Sequence, residues 1–296
     1  MNRRDLLKVV AGTSTMLWVE KSASGQACAA KEGTVRDRLW IFTCAANNDY
    51  PALGRRSVVT PVEGAFYLGV PNIIVVQSSV EEARYGRLEP PFAQYTVAMR
   101  PLKHVVWSVV GSGGFTTPDE TREVLELAKT TPNFAGIMLD DFFTGKKDGK
   151  RAQLSVAELA KIRRQLRAAG KELDIFVTLY TSLLDLPLSD YLSLVDVVTL
   201  WTGGAADLAN LETNLLKVEK LVPNKKIMLG CYVVDYSQKK SIPVSAMQHQ
   251  CETGLRWLRE RRIEGIIFLG NTTMDLDFEA VEWTRQWIEK VGETRL

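Results

Sequence analysis

Eight short apolar runs, each followed by a stretch of helical periodicity, constrain this chain more than any other feature. They are Leu39–Cys44, Asn72–Gln77, His104–Val110, Ala135–Asp140, Asp174–Tyr180, Val195–Trp201, Lys226–Val234 and Gly265–Leu269. The runs are continuous rather than alternating, as strands covered on both faces are. Strands that alternate with helices pair in parallel through right-handed crossovers. Eight such units close a barrel. The expected fold is therefore α/β, a (β/α)8 TIM barrel in a single domain.

The helices are marked at their starts. Thr60-Pro61-Val62-Glu63, Thr117-Pro118-Asp119-Glu120 and Ser155-Val156-Ala157-Glu158 each set a hydroxyl three positions before a glutamate. That spacing is a capping box, which satisfies the free N–H groups of a helix N-terminus. A cap accounts fully for Glu63, which is therefore not a catalytic candidate. The last helix, Asp277 to Lys290, is expected to pack Phe278, Val281 and Trp287 on the outside of the first and last strands. With 46% hydrophobic residues over 296 positions there is apolar material for one large core, and no linker, repeat or low-complexity stretch divides residues 30–296.

Residues 1–29 stand apart. Met1-Asn2-Arg3-Arg4-Asp5-Leu6-Leu7-Lys8 resembles a twin-arginine export signature, the apolar run Val9 to Val19 is too short to span a membrane, and Ala27-Cys28-Ala29 offers a cleavage site. The expectation is a signal segment over 1–29, export across a bacterial inner membrane to the periplasm or beyond, and no stable membrane insertion afterwards. A reporter fused to residues 1–30 that stayed in the cytoplasm would overturn it.

Charge and metal-binding residues exclude other classes. Without residues 1–29 the chain carries 33 basic and 33 acidic side chains, with no basic stripe, which argues against nucleic acid as a partner. Cys44, Cys231 and Cys251 have no paired spacing, and His104 and His249 have no carboxylate at ligand spacing. Neither a disulfide framework, a metal site nor a cofactor is indicated.

Function in a barrel is read at the C-terminal strand ends. These ends carry Asn47, Gln77, the run Gly111-Ser112-Gly113-Gly114, Asp140 and Asp141, Tyr180, Trp201, Asp235 with Tyr236, and Asn271. Aromatics stack on sugar rings while acids and amides bond hydroxyls, so a neutral polyhydroxylated ligand fits. Phosphate fits less well, because no Lys or Arg adjoins the glycine run. The acid doublet is the sharpest feature. The next helix begins near Ser155, too far on for either aspartate to cap it. Two carboxyls beside apolar residues such as Leu139, Phe142 and Phe143 raise one another's proton affinity, which suits one for general acid work while its neighbour stays ionised.

His104-Val105-Val106-Trp107, the stretch Phe134 to Gly145 around Leu139-Asp140-Asp141, Leu200-Trp201-Thr202-Gly203 and Asp235-Tyr236 recur in that order in family 84 glycoside hydrolases, the retaining β-N-acetylglucosaminidases. The chain resembles that family from Lys103 to Tyr236. The resemblance implies a barrel whose first aspartate, Asp140, orients the substrate's acetamido group, the nucleophile in this substrate-assisted mechanism, and whose second, Asp141, is the acid and then the base. It implies that Asp235 holds sugar hydroxyls, that Trp201 walls the site and that Tyr180 contacts the acetamido group. The family's glycine-rich first-strand motif is absent, with Cys44-Ala45-Ala46-Asn47-Asn48 in its place. Gln77 replaces its lysine, and Gly230-Cys231 stands where its asparagine would precede Asp235. Three readings remain open. They are an exported hexosaminidase acting on a glycan or glycoside, a glycan-binding barrel without catalysis, and a glycosidase of other sugars that uses Asp235 as second carboxylate.

Overall fold

A computed structural model describes residues 33–50, 55–78, 86–145 and 150–296. The expected export segment lies outside them, and Gly33–Leu296 forms one unit. Its strands are β1 (Leu39–Thr43), β2 (Asn72–Val75), β3 (His104–Val110), β4 (Phe134–Leu139), β5 (Asp174–Tyr180), β6 (Val197–Trp201), β7 (Lys226–Cys231) and β8 (Gly265–Leu269). All pair in parallel, each with its sequence neighbours. The ring closes where β1 bonds both β2, with Trp40 opposite Asn72, and β8, with Leu39 opposite Ile266. The (β/α)8 expectation holds: β3, β5 and β8 have the expected ends, and the other five strands differ by one to three residues.

Alternation along each strand divides the interior in two. Trp40 and Phe42 of β1 join Ile74, Met138, Phe176, Trp201, Met228 and Ile267 in a cluster fed by all eight strands and by no helix, so this cluster fills the lumen. Leu39, Ile41, Ile137, Leu139, Val177 and Leu229 belong to the second cluster, the layer between strands and helices. The parity decides which strand-end residues face the mouth.

The helices are α1 (Pro61–Leu68), α2 (Ala93–Met99), α3 (Pro118–Thr130), α4 (Val156–Arg167), α5 (Ser189–Leu192), α6 (Leu211–Leu221), α7 (Val244–Arg259) and α8 (Glu279–Val291). Reciprocal capping boxes form at Thr60 and Ser155. Glu63 accepts from the Thr60 N–H at 2.8 Å, and that bond helps hold its carboxyl below the usual range. At Thr117 only half the box forms. The hydroxyl accepts from the Glu120 N–H at 3.2 Å, while the Glu120 carboxylate pairs with Arg87 instead. α8 buries Val281 and Trp287, and Trp287 meets Phe268 of β8 edge-on.

Three short pairings interrupt the alternation of strand and helix. Asn48–Tyr50 pairs with Arg55–Ser57, Val234–Asp235 with Lys240–Ser241, and Phe143 bridges Ala152. The second pairing takes residues from the run expected as one long strand to Val234. At the opposite end of the barrel from the mouth, the Leu296 N–H donates to the Gly33 carbonyl at 3.0 Å and the Val35 N–H to Thr294 at 2.8 Å. No helix among the described residues is long and apolar enough to cross a membrane.

Candidate active site

Met138 faces the lumen, so two residues on Asp140 does too, just past the last residue of β4. Asp140 is 5% exposed. The Thr178 hydroxyl, from the lumen-facing set of β5, donates to its Oδ1 at 3.0 Å. Removal from water, followed by the charge of Asp141, pushes the Asp140 carboxyl well above its ordinary range, so it holds a proton where an exposed aspartate has lost it.

Asp141 follows at φ 44, a left-handed conformation that turns the chain at the barrel rim. Its Oδ2 accepts the Gly113 N–H at 2.8 Å and its Oδ1 accepts the Tyr180 hydroxyl. Tyr180 ends β5 two residues beyond Thr178, so consecutive lumen-facing positions of one strand serve the two acids. Burial, then the nearby Tyr232 and the acid pair, push the Tyr180 phenol well above its usual range and keep it a donor. Cys44, the lumen-facing residue past β1, is pushed up to about 12 by burial and by the charges of Asp140 and Asp141.

The apolar cover differs from the expected one. Leu139, Phe142 and Phe143 pack in the outer layer, with both phenylalanines edge-on to Tyr191. The burial of Asp140 comes instead from the lumen cluster, which Cys44 and Tyr180 extend at its upper end.

An aromatic wall stands across the lumen. Trp201 lies 4.7 Å from Tyr232, which lies 4.8 Å from Tyr236, and the three run from a buried indole to a ring 39% exposed at the rim. The Trp201 Nε1 donates to Thr199 at 2.9 Å, so its polar edge is satisfied inside the barrel.

Three other expected ligand residues are buried and bonded within the protein, and one is exposed. Gln77 is out of step with the lumen-facing Ile74 and Val76, and its Nε2 donates to the Leu88 carbonyl at 2.9 Å. Asn271 is fully buried. Its Oδ1 accepts the Cys44 N–H at 3.0 Å and its Nδ2 donates to the carbonyls of Cys44 and Val59 at 2.9 and 2.6 Å, so the whole amide ties the loop after β1 to β8. Asp235 is also buried, and its oxygens accept the N–H groups of Ala205, Ser237 and Gln238 and the Ser237 hydroxyl. Burial pulls its carboxyl upward, but these bonds outweigh it and hold the group below the usual range. It fastens the loops that carry Tyr236. Asn47 is exposed in a turn at φ 63, its N–H bonded to Ser57 at 2.8 Å.

Thr178 was not among the expected site residues, and Gly113 was read only as part of the glycine run weighed for phosphate. The alternation of β5 back from Tyr180 was a usable signal for Thr178, whereas the Gly113 N–H carries none. Among the described residues no group of three or more His, Cys, Asp or Glu could hold a metal ion.

The electrostatics make a stability prediction. A carboxyl raised in the folded state costs stability as pH climbs from its unfolded value, about 4, through the raised one. Asp140→Asn keeps an oxygen for Thr178 and removes the titration. The variant should match wild type below about pH 4 and exceed it increasingly above, by on the order of 1 kcal/mol, or about 2–4 °C in Tm. Thermal melts of both proteins from pH 3.5 to 8 check this, and parallel curves would count against it.

No family model matches the chain and no curated protein matches it in sequence. Solved structures do. A Bacteroides thetaiotaomicron VPI-5482 protein proposed to be an α-L-fucosidase aligns with TM-score 0.55 and 10% identity over 97% of this chain and all of its own. The Bacillus megaterium QM B1551 spore cortex-lytic enzyme SleL aligns with 0.53 and 11% over 90% of this chain and 76% of its own. A tryptophan synthase α-subunit from Pyrococcus furiosus gives 0.52 and 12% over 87% and 98%. Names this different on one scaffold mean that the likeness establishes the (β/α)8 barrel, and that chemistry has to be argued from the residues at its mouth.

Proposed function

We propose that the protein hydrolyses a glycosidic bond at the barrel mouth, with Asp141 as acid and then base and Asp140 as its buried partner. The observation that carries this reading is the acid pair itself. Adjacent carboxyls stand at one strand end, the inner buried and its proton affinity raised by that burial, the outer held by two donors, opposite an aromatic wall. The likeness to structures named as a fucosidase and a spore cortex-lytic enzyme supports it.

The finer reading is a retaining exo-β-N-acetylhexosaminidase with substrate-assisted catalysis, as the resemblance to family 84 implies. A pair in one site titrates as a unit, and a proton can lie on either member. When a substrate acetamido N–H donates to Asp140, it replaces the proton that burial otherwise keeps there, and the shared proton lies on Asp141. Asp141 gives that proton to the leaving oxygen as the acetamido carbonyl oxygen bonds C1 and the glycosidic bond breaks. Asp141, now ionised, takes a proton from the water that opens the cyclic intermediate. Atoms and charges balance, and the pair ends as it began.

A panel of aryl N-acetylhexosaminides and plain aryl hexosides tests this. Turnover confined to the acetamido substrates, and lost in Asp141→Asn, is expected. Turnover of plain hexosides alone would reject the acetamido mechanism, and no turnover of any glycoside would reject the hydrolase.

A further inference from the structure

The glycine run after β3, weighed in the sequence as a cradle for phosphate, lies against the acid pair. Gly113 and Gly114 adopt left-handed conformations, φ 67 and 76, open to glycine at little cost. On either side of Gly113 the main-chain donors are taken, the Ser112 N–H by the Gln77 carbonyl at 2.8 Å and the Gly114 N–H by the Gly111 carbonyl at 2.9 Å. Here the Gly113 N–H points at Asp141 Oδ2, 2.8 Å away.

The wall facing this turn comes from the chain beyond Asp141, which folds back on itself. The Thr144 N–H donates to Arg151 and the Gln153 N–H to Phe142, both at 2.9 Å. Arg151 anchors the returning arm on Asp190 at 2.6 and 3.1 Å and on the Pro187 carbonyl at 2.7 Å. Twelve residues after the acid, Gln153 is thereby returned to it. Its Oε1 accepts from Lys150 at 3.2 Å, and its Nε2 is directed at the Asp141 carbonyl at 3.5 Å. The amide lies so close to Gly114 that a Cβ there would fall 2.1 Å from Nε2. The left-handed φ of 76 and this close amide together favour glycine at position 114.

We infer that the Gly113 N–H, seated in a nest that Gly114 and Gln153 close, holds the protein's own Asp141 carboxylate, and that the three are positioning residues for the acid/base of the proposed hydrolase. The inference rests on that reading of Asp141 for its kinetic consequence only. A main-chain donor loses no side-chain entropy when it binds a carboxylate, and it favours the ionised form. Burial raises the hold of Asp140 on a proton. The donor on Asp141 acts against that in a pair that titrates as a unit.

The test is a carbon-detected NMR titration of the aspartate carboxyls in the full-length protein, with kinetics alongside. Gly114→Ala strains a left-handed position and sets a methyl against Gln153, which should loosen the loop from Asp141. The pair's titration midpoint should rise by about half a pH unit or more, as expected for losing one such bond. For an active enzyme kcat should fall about tenfold with KM within about twofold, since an acid is misplaced while binding is kept. The alkaline limb of kcat/KM should move up with the midpoint. Gln153→Leu keeps the bulk against Gly114, is the safer variant for folding, and should raise the midpoint in the same direction but by less, because the Gln153 amide meets Asp141 only at its main-chain carbonyl and acts through the turn it closes.

A merely structural role would lower Tm and leave the midpoint in place, and an unmoved midpoint in both folded variants overturns the nest. Inorganic phosphate that bound wild type and shifted the Gly113 amide would also overturn it. A midpoint that rises in a protein without glycosidase activity supports the nest and rejects the hydrolase, so the two claims fail separately.

Discussion

Replacing Asp141 by asparagine is expected to lower kcat/KM toward a cleaved aryl glycoside by about 10²–10⁴-fold, the range that proton transfer from a positioned side chain contributes. The substitution keeps volume, and its amide oxygen can still accept the Tyr180 hydroxyl. The amide cannot donate the proton the leaving oxygen needs. The loss should therefore track the leaving group. A dinitrophenyl glycoside departs without protonation and should lose much less than a phenyl or alkyl glycoside, while the water-activating half-reaction slows for all of them. A uniform loss across leaving groups would mean that Asp141 serves binding or folding instead. Asp140→Asn separates the roles. It should reduce turnover of acetamido substrates while raising stability above about pH 4, because the buried group that resists ionisation is gone.

Gly230→Ala should cost about 3 kcal/mol of stability, at the upper end of what overpacking costs. The Trp201 indole lies flat over Gly230, and a Cβ there would fall 2.1 Å from Cδ2 of the ring. The indole cannot retreat, because its Nε1 is bonded to Thr199 and its face and edge meet Tyr232 and Phe42. The methyl must displace Trp201 from the wall or strain β7. Urea unfolding of wild type, Gly230→Ala, and Gly230→Ala with Trp201→Phe measures it. The smaller ring should restore a substantial part of the loss in the double variant while costing stability alone, a coupling that only packed neighbours show. Additive losses would mean that the two residues do not press on each other.

The eight strands were legible because burial on both faces leaves a signal, a continuous apolar run between capped helices. The three short pairings left none, since one to three bonded residues per strand carry no periodicity. At the mouth, residue type located the acid pair and the aromatic wall, and strand parity places Thr178, Tyr180 and Trp201 in one lumen. What residue type could not tell is which polar groups the backbone has already taken. Asn271 and Asp235 suit a sugar by composition, yet every oxygen and nitrogen of the one amide and both oxygens of the other's carboxyl are bonded to main chain or to Ser237. Gln77 is a matter of parity, one position out of step. The glycine at position 230, a departure from the resembled family, is the space an indole needs.

Beneath the barrel residues 33–296 close on themselves, with Leu296 hydrogen-bonded to Gly33 and Val35 to Thr294. With the Leu296 N–H on the Gly33 carbonyl, a few glycines could seal the seam without stretching either side. Such a cyclised chain could be cut open elsewhere on its underside while the acid pair and aromatic wall at the opposite rim stayed as they are. For the same reason a tether attached at residue 296 holds the molecule by its base and presents the mouth outward.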